Sequence, residues 1–201
     1  MTRLLPGILA MAAVVVASNI LVQILLGDWL TWGAFTYPIA FLVTDVTNRV
    51  HGARDARRVV AAGFVVGVIC SLIAAGFDAT TLRIAIASGA AFLTAQMLDV
   101  AVFDRLRAAR GWWQAPLGST LIGSAVDTVL FFGIAFAAFL PADANTGWAN
   151  ESVPLLGSGP ALPLWTSLAL ADWMVKLGLA LLSLVPFRLI VNHLLRRSRQ
   201  I

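Results

Sequence analysis

Four stretches of this chain carry acidic, amide or basic side chains at helical spacing inside otherwise apolar sequence. Asp45 and Asn48 are three residues apart, as are Gln96 and Asp99, and as are Ser124 and Asp127. Asp172 and Lys176 are four apart, in the order that favours an intrahelical ion pair. Residues at these spacings share one face of a helix, so each pair aims two polar groups in one direction. Carboxylates accept hydrogen bonds, whereas amides both donate and accept. A convergent set of such groups suits a cation, a proton or a ligand rich in N–H donors. Asn19, Gln23, Thr94 and Thr128 add uncharged polar atoms. No intrahelical base is in register with Asp99 or Asp127, Arg49 falls at the cytoplasmic end of the Asp45 helix, and Lys176 can neutralise only one of the three acids. The plainer reading is structural: a self-neutralising Asp172–Lys176 bridge, and acids that merely pack helices together.

Catalytic readings find little support. His51 and His193 both fall near helix ends, so no deep Ser–His pair forms, and no His-Glu-x-x-His helix exists. Two facing acids could serve an intramembrane aspartyl protease, but the Gly-x-Gly-Asp context is missing. Cys70 is the single cysteine, which excludes a disulfide within the chain and a cysteine-based metal site. Two histidines also weigh against a zinc or di-iron centre. Gly118, Ser119 and Thr120 lack Walker spacing and a preceding strand. We therefore expect no catalytic residue, no metal and no cofactor.

The elements that position these groups follow from composition. Of 201 residues, 60% are hydrophobic and only 12% charged, and the mean hydropathy is +0.88. A soluble domain carries about 25% charged residues, so this chain lacks the polar material to cover a water-facing surface. A helix needs roughly 20 mostly apolar residues to cross a bilayer. Six stretches qualify: Leu4–Leu26, Trp32–Val50, Val59–Phe77, Ile84–Phe103, Leu117–Leu140 and Leu162–Phe187. The second contains Pro38, Asp45, Asn48 and Arg49, yet omitting it would put basic loops on both sides.

With six spans the loops sort by sign. Arg3, Arg54, Arg57, Arg58, Arg105, Arg107, Arg110, Arg188, Arg196, Arg197 and Arg199 fall on one side. Asp28, Asp78, Asp143 and Glu151 fall on the other, with Arg83 as the exposed exception. The positive-inside rule then puts both termini in the cytoplasm, and the net charge of +4 reflects basic loops rather than nucleic-acid binding. Trp29, Trp32, Trp148 and Trp165 mark the outer interface, and Trp112 and Trp113 the inner one. The Pro141–Pro163 loop reads as an outer connector rather than a lid. The last helical stretch continues past Pro186 with Arg188, His193 and Arg196, a cytoplasmic extension kinked or ended by the proline.

Three segments carry a resemblance: Thr36–Gly52 (TYPIAFLVTDVTNRVHG), Ala91–Phe103 (AFLTAQMLDVAVF) and Gly118–Phe136 (GSTLIGSAVDTVLFFGIAF). In order and spacing they resemble the queuosine-precursor transporter family, also called the VUT or YhhQ family. The resemblance runs from about Asn19 to Pro186. It implies a six-helix inner-membrane importer of 7-deazaguanines, the cyano or aminomethyl bases from which queuosine in transfer RNA is made. Carried over onto this sequence, it implies a substrate site of Tyr37, Pro38, Asp45, Asn48, Gln96, Asp99, Ser119, Thr120, Asp127 and Thr128. Asp172 and Lys176 would balance charge or gate. Arg49 stands where the family often has Glu, His51 where Tyr is common, and Ser124 where Gln is frequent.

The expectation is thus an all-α polytopic membrane protein. It is a single six-helix transmembrane domain over residues 1–201, N-in and C-in, in a bacterial inner membrane. Its partners would be a deazaguanine, the lipid bilayer and a second copy in a homodimer, with no nucleic acid. The rivals are a substrate-binding subunit of an ATPase-driven vitamin importer and, further off, an intramembrane enzyme.

Overall fold

The computed structural model describes residues 2–21, 24–77, 80–140 and 146–198. Gln23, Asp78, Asp143 and Arg199, and the side chains of Tyr37 and Arg197, lie outside the described set. Six α-helices account for most of the chain: α1 Leu5–Leu21, α2 Gly33–His51, α3 Ala53–Gly76, α4 Leu82–Leu106, α5 Gln114–Phe136 and α6 Leu164–Ser198. Each falls on one of the six apolar stretches. Two short antiparallel ribbons, β1 (Leu25–Leu26) with β2 (Leu30–Thr31) and β3 (Ser152–Pro154) with β4 (Ala161–Pro163), were not expected from hydropathy.

Four helices, α3 to α6, are long and apolar enough to cross a membrane. α1 is apolar but has 17 residues and stops short of the predicted Leu26, because the chain turns into the β1–β2 ribbon. α2 is too polar to meet the same standard, since its 19 residues include Asp45, Asn48 and Arg49. It touches all five other helices, which is how so polar a segment is shielded. α6 does not end at Pro186 but runs through it for 35 residues, about 52 Å. Transmembrane helices tolerate proline where neighbouring groups satisfy the freed backbone.

Burial is inverted relative to a soluble protein. Val129, Leu182 and Leu189 are about two-thirds exposed, whereas Asn48, Gln96 and Asp99 are fully buried. Apolar surfaces face outward and polar groups inward, the arrangement a hydrocarbon solvent imposes. Three apolar clusters hold the helices. One, around Met11, Val59, Val60, Phe92 and Val100, joins α1, α3 and α4. A second, around Phe132, Phe136 and Ala149, ties α5 to the segment before α6. The third, Phe103, Ala115, Phe187 and Val191, joins α4, α5 and the last part of α6.

Contacts between distant residues fix the ends of the bundle. Arg3 and Arg58 both donate to Asp55, so α1 and α3 start at one end. Arg49 donates to the Arg107 carbonyl there, and the Arg188 guanidinium sits 4.8 Å above the Trp112 ring. At the opposite end Arg83 donates to the carbonyls of Ile134 and Ala137, closing the end of α5. Among the described residues, Arg3, Arg49, Arg58, Arg107 and Arg188 thus gather at one end of the bundle. Arg83, the exception, spends its charge on helix-terminal carbonyls.

α2 and α3 are separated by Gly52 alone, at φ 88° and ψ 167°. Only glycine adopts that region readily. A Cβ at Gly52 would meet no atom within 4 Å, so the constraint is the backbone and not crowding. Gly52→Ala is expected to cost about 1–3 kcal/mol. A thermal melt of the detergent-solubilised variant checks this: unchanged stability would mean the turn relaxes to another conformation.

Candidate functional site

α2 enters the middle of the bundle carrying Thr44, Asp45 and Asn48 on its buried side. Asp45 is 2% exposed and accepts hydrogen bonds from Ser119 Oγ at 3.1 Å and Thr120 Oγ1 at 3.3 Å. These hydroxyls lie near the start of α5, so one carboxylate of α2 is braced by two donors of α5. Asn48 Nδ2 donates to the Val100 carbonyl of α4 at 3.0 Å. The Thr44 hydroxyl lies 2.6 Å from Gln96 Oε1, a second tie between α2 and α4.

α4 supplies Gln96 and Asp99, both fully buried. Their spacing of three keeps them on one face, as the sequence predicts. Asp99 lies close enough to Asp45 for the two carboxyls to interact electrostatically. It is also near Ser119, yet neither Asp99 oxygen meets hydrogen-bond geometry with a described donor. Gln96 Nε2, Asn48 Oδ1 and Trp173 Nε1 are likewise buried without a described partner. Buried polar atoms are nearly always paired, because an unmade hydrogen bond costs about 1–3 kcal/mol. Two acceptor oxygens, an amide donor and an amide acceptor are thus grouped on the facing sides of α2 and α4.

Gly123 allows this approach of α4 and α5. A Cβ there would come within 3.3 Å of the Ala95 carbonyl and 3.4 Å of Asp99 Cβ, and closer still to the Phe41 ring. Fully buried Ser124, one residue on, turns its hydroxyl back to the Leu121 carbonyl.

A second polar group sits further along α5. Lys176 Nζ is 2.7 Å from Asp127 Oδ2 of α5 and 2.5 Å from Asp172 Oδ2 of its own helix. Thr128 Oγ1 donates to Asp172 at 3.0 Å and accepts from Lys176 at 3.2 Å. Lys176 therefore does more than neutralise its own helix. It bridges α5 and α6, and Asp127 is the one of the three lone acids that it reaches.

The sequence-derived residues divide accordingly. Asp45, Asn48, Gln96, Asp99, Ser119 and Thr120 come together between α2, α4 and α5. Asp127, Thr128, Asp172 and Lys176 form the α5–α6 group. Arg49 and His51 do not join either: Arg49 turns to the end of α4, and His51 is exposed. Thr44 was missed, although it lies four residues before Asn48 and so shares its face. Asp55 was also missed; it is a buried acid, but it is held by Arg3 and Arg58 at the basic end. Among the described residues no group of His, Cys, Asp and Glu could hold a metal ion.

Known proteins place this arrangement. Residues 31–191 match the family described as "Putative vitamin uptake transporter". The chain is 35% identical to the "Queuosine precursor transporter" of Escherichia coli (strain K12), over 92% of this chain and 84% of the relative. It is 35% identical to the "Probable queuosine precursor transporter" of Haemophilus influenzae, over 85% of this chain and 72% of the relative. A "Probable queuosine precursor transporter" of Bacillus subtilis is 26% identical over 80% of this chain and 71% of the relative. No solved structure matches the chain. A helical bundle with apolar outer faces and a buried polar interior, matched along most of its length by these transporters, is a multi-pass membrane protein. The chain belongs to the queuosine precursor transporter family.

Proposed function

We propose that this chain imports 7-deazaguanine precursors of queuosine across a bacterial inner membrane, unaltered, for use in transfer-RNA modification. All six helices cross, α1 and α2 included, with both termini and the basic end in the cytoplasm. That orientation obeys the positive-inside rule. α2 crosses despite its polarity because its polar side is turned to the other helices.

The observation that carries the ligand reading is the set of buried atoms lacking described partners: both Asp99 oxygens, Gln96 Nε2 and Asn48 Oδ1. A deazaguanine presents a ring N–H and an exocyclic amino group on one edge, with a carbonyl beside them. Asp99 accepts from the two donors together. Gln96, whose oxygen already accepts from Thr44, directs its amino group to the carbonyl. Asn48 Oδ1 accepts from the remaining amino hydrogen. Asp45 braces the Asp99 side through Ser119 and Thr120. Tyr37 belongs to the same site by its place in the family motif.

Two tests follow. For topology, single cysteines are placed at exposed Ser158 and Asn192 in a Cys70→Ser background. A membrane-impermeant maleimide applied to intact cells should label the first and spare the second; labelling of Asn192→Cys overturns the N-in/C-in arrangement. For function, the chain is expressed in a bacterial host that neither makes nor imports deazaguanines. Feeding either base should restore queuosine in transfer RNA. Asp99→Asn replaces one acceptor oxygen with a donor and should lower uptake at least about tenfold without lowering membrane abundance. Normal uptake by that variant would remove Asp99 from the site.

A further inference from the structure

We propose that Lys176 is a resident counter-ion for Asp127, and that a positively charged ligand displaces it onto Asp172. The inference rests on the substrate reading above and selects within it. The base that this end of the site takes is the one with a charged aminomethyl arm.

Lys176 is placed to change partners without leaving a charge alone. Its ammonium lies between an acid on α5 and an acid on its own helix, at 2.7 and 2.5 Å. Moving off Asp127 leaves it paired with Asp172, at the i,i+4 spacing that needs no second helix. The direction of movement is set by the helix: Asp172 lies on the lysine's own helix, whereas Asp127 is carried by α5. The lysine therefore keeps the acid of its own helix and vacates the acid across the interface. Thr128, bonded to both Asp172 and Lys176, holds the receiving carboxylate in place.

Charge arithmetic favours a cationic replacement. Two acids and one lysine carry a net −1. A ligand of charge +1 completes two pairs, ligand with Asp127 and Lys176 with Asp172. A neutral ligand arm would take the lysine from Asp127 without supplying a charge in exchange, which is costly in the bundle interior. Reach also fits. The Asp99 Cβ lies against Gly123 and its carboxyl is near Ser119, so it sits four to eight residues before Asp127 along α5, about 6–12 Å on the axis. A flat bicycle with a one-carbon amine arm covers that span once a hydrogen bond is added at each end. Its donor edge then lies at Asp99 and its ammonium at Asp127.

The test is the ratio of affinities for 7-aminomethyl- and 7-cyano-7-deazaguanine, measured by calorimetry on the full chain in nanodiscs. The wild type should prefer the aminomethyl base at least about tenfold. Asp172→Asn leaves Lys176 paired with Asp127 and the fold's interhelical bridge intact, but removes the lysine's refuge. It should weaken aminomethyl binding about tenfold or more relative to cyano binding, and Asp172→Glu should restore the preference. Asp127→Asn should also erase it. Equal weakening of both bases by Asp172→Asn, as a purely structural bridge would give, overturns the inference. So does a wild type that binds the two bases alike. A wild type that binds neither overturns the substrate reading itself, and this inference with it.

Discussion

An ionised side chain inside a hydrocarbon-facing bundle must be met by something, and the polar interior of this protein is organised by how fully each one is met. Lys176 has two carboxylates and a hydroxyl. Asp45 has two hydroxyls and no described base. Asp99 has neighbours but no hydrogen bond of good geometry. That gradient separates roles that composition alone lumps together. A well-paired group holds helices; a group that the protein leaves unmet is free to be met by what passes through. The desolvation cost of the second kind is what a ligand offsets, so affinity and instability of the empty site share one origin.

The same constraint explains the helix order around the site. α2 is the segment least suited to lipid, with Asp45, Asn48 and Arg49 in 19 residues. It is tolerated because five other helices surround it. The polar residues on its buried side find partners on a neighbour: Thr44 with Gln96, Asp45 with Ser119 and Thr120, Asn48 with Val100. These bonds dock α2 onto α4 and α5 in one register. Gly123 does the complementary task on α5, giving up a side chain so that α4 can come close. Packing and the proposed recognition thus draw on the same residues, and a change at one is felt at the other.

Hydropathy and charge made the six helices and the basic end legible, since both depend on one-dimensional runs of residues. The acid and amide positions were legible for the same reason: polar groups stand out against apolar sequence. Pairings across helices were not. That Lys176 reaches Asp127, and that Arg49 turns to the end of α4, depend on how neighbouring helices are rotated, which no local spacing encodes. The β ribbons were hidden because β1 lies in a stretch as apolar as a span and β3 and β4 lie in a connecting loop with no alternating pattern. An extension past Pro186 was legible from Arg188, His193 and Arg196; that one helix runs through the proline was not, because local proline rules describe soluble helices.

Transport also requires the buried site to reach each side in turn, and the ties that close the two ends differ in kind from those at the centre. At the basic end Asp55 is gripped by Arg3 and Arg58, both more than half exposed. Their guanidinium ends stand in solvent and are screened by salt, although Asp55 itself is buried. At the other end Arg83 holds backbone carbonyls of α5, and Asn150 holds the Phe136 carbonyl. Water can replace either set when an end opens. The Lys176 group has no such substitute in a dry interior, so separating α5 from α6 there would be far more expensive than parting the ends. The bundle therefore gains access most cheaply by loosening its termini around a fixed centre. A lysine that changes partner by side-chain rotation suits that economy, because it re-pairs charge at the centre without asking the helices to come apart.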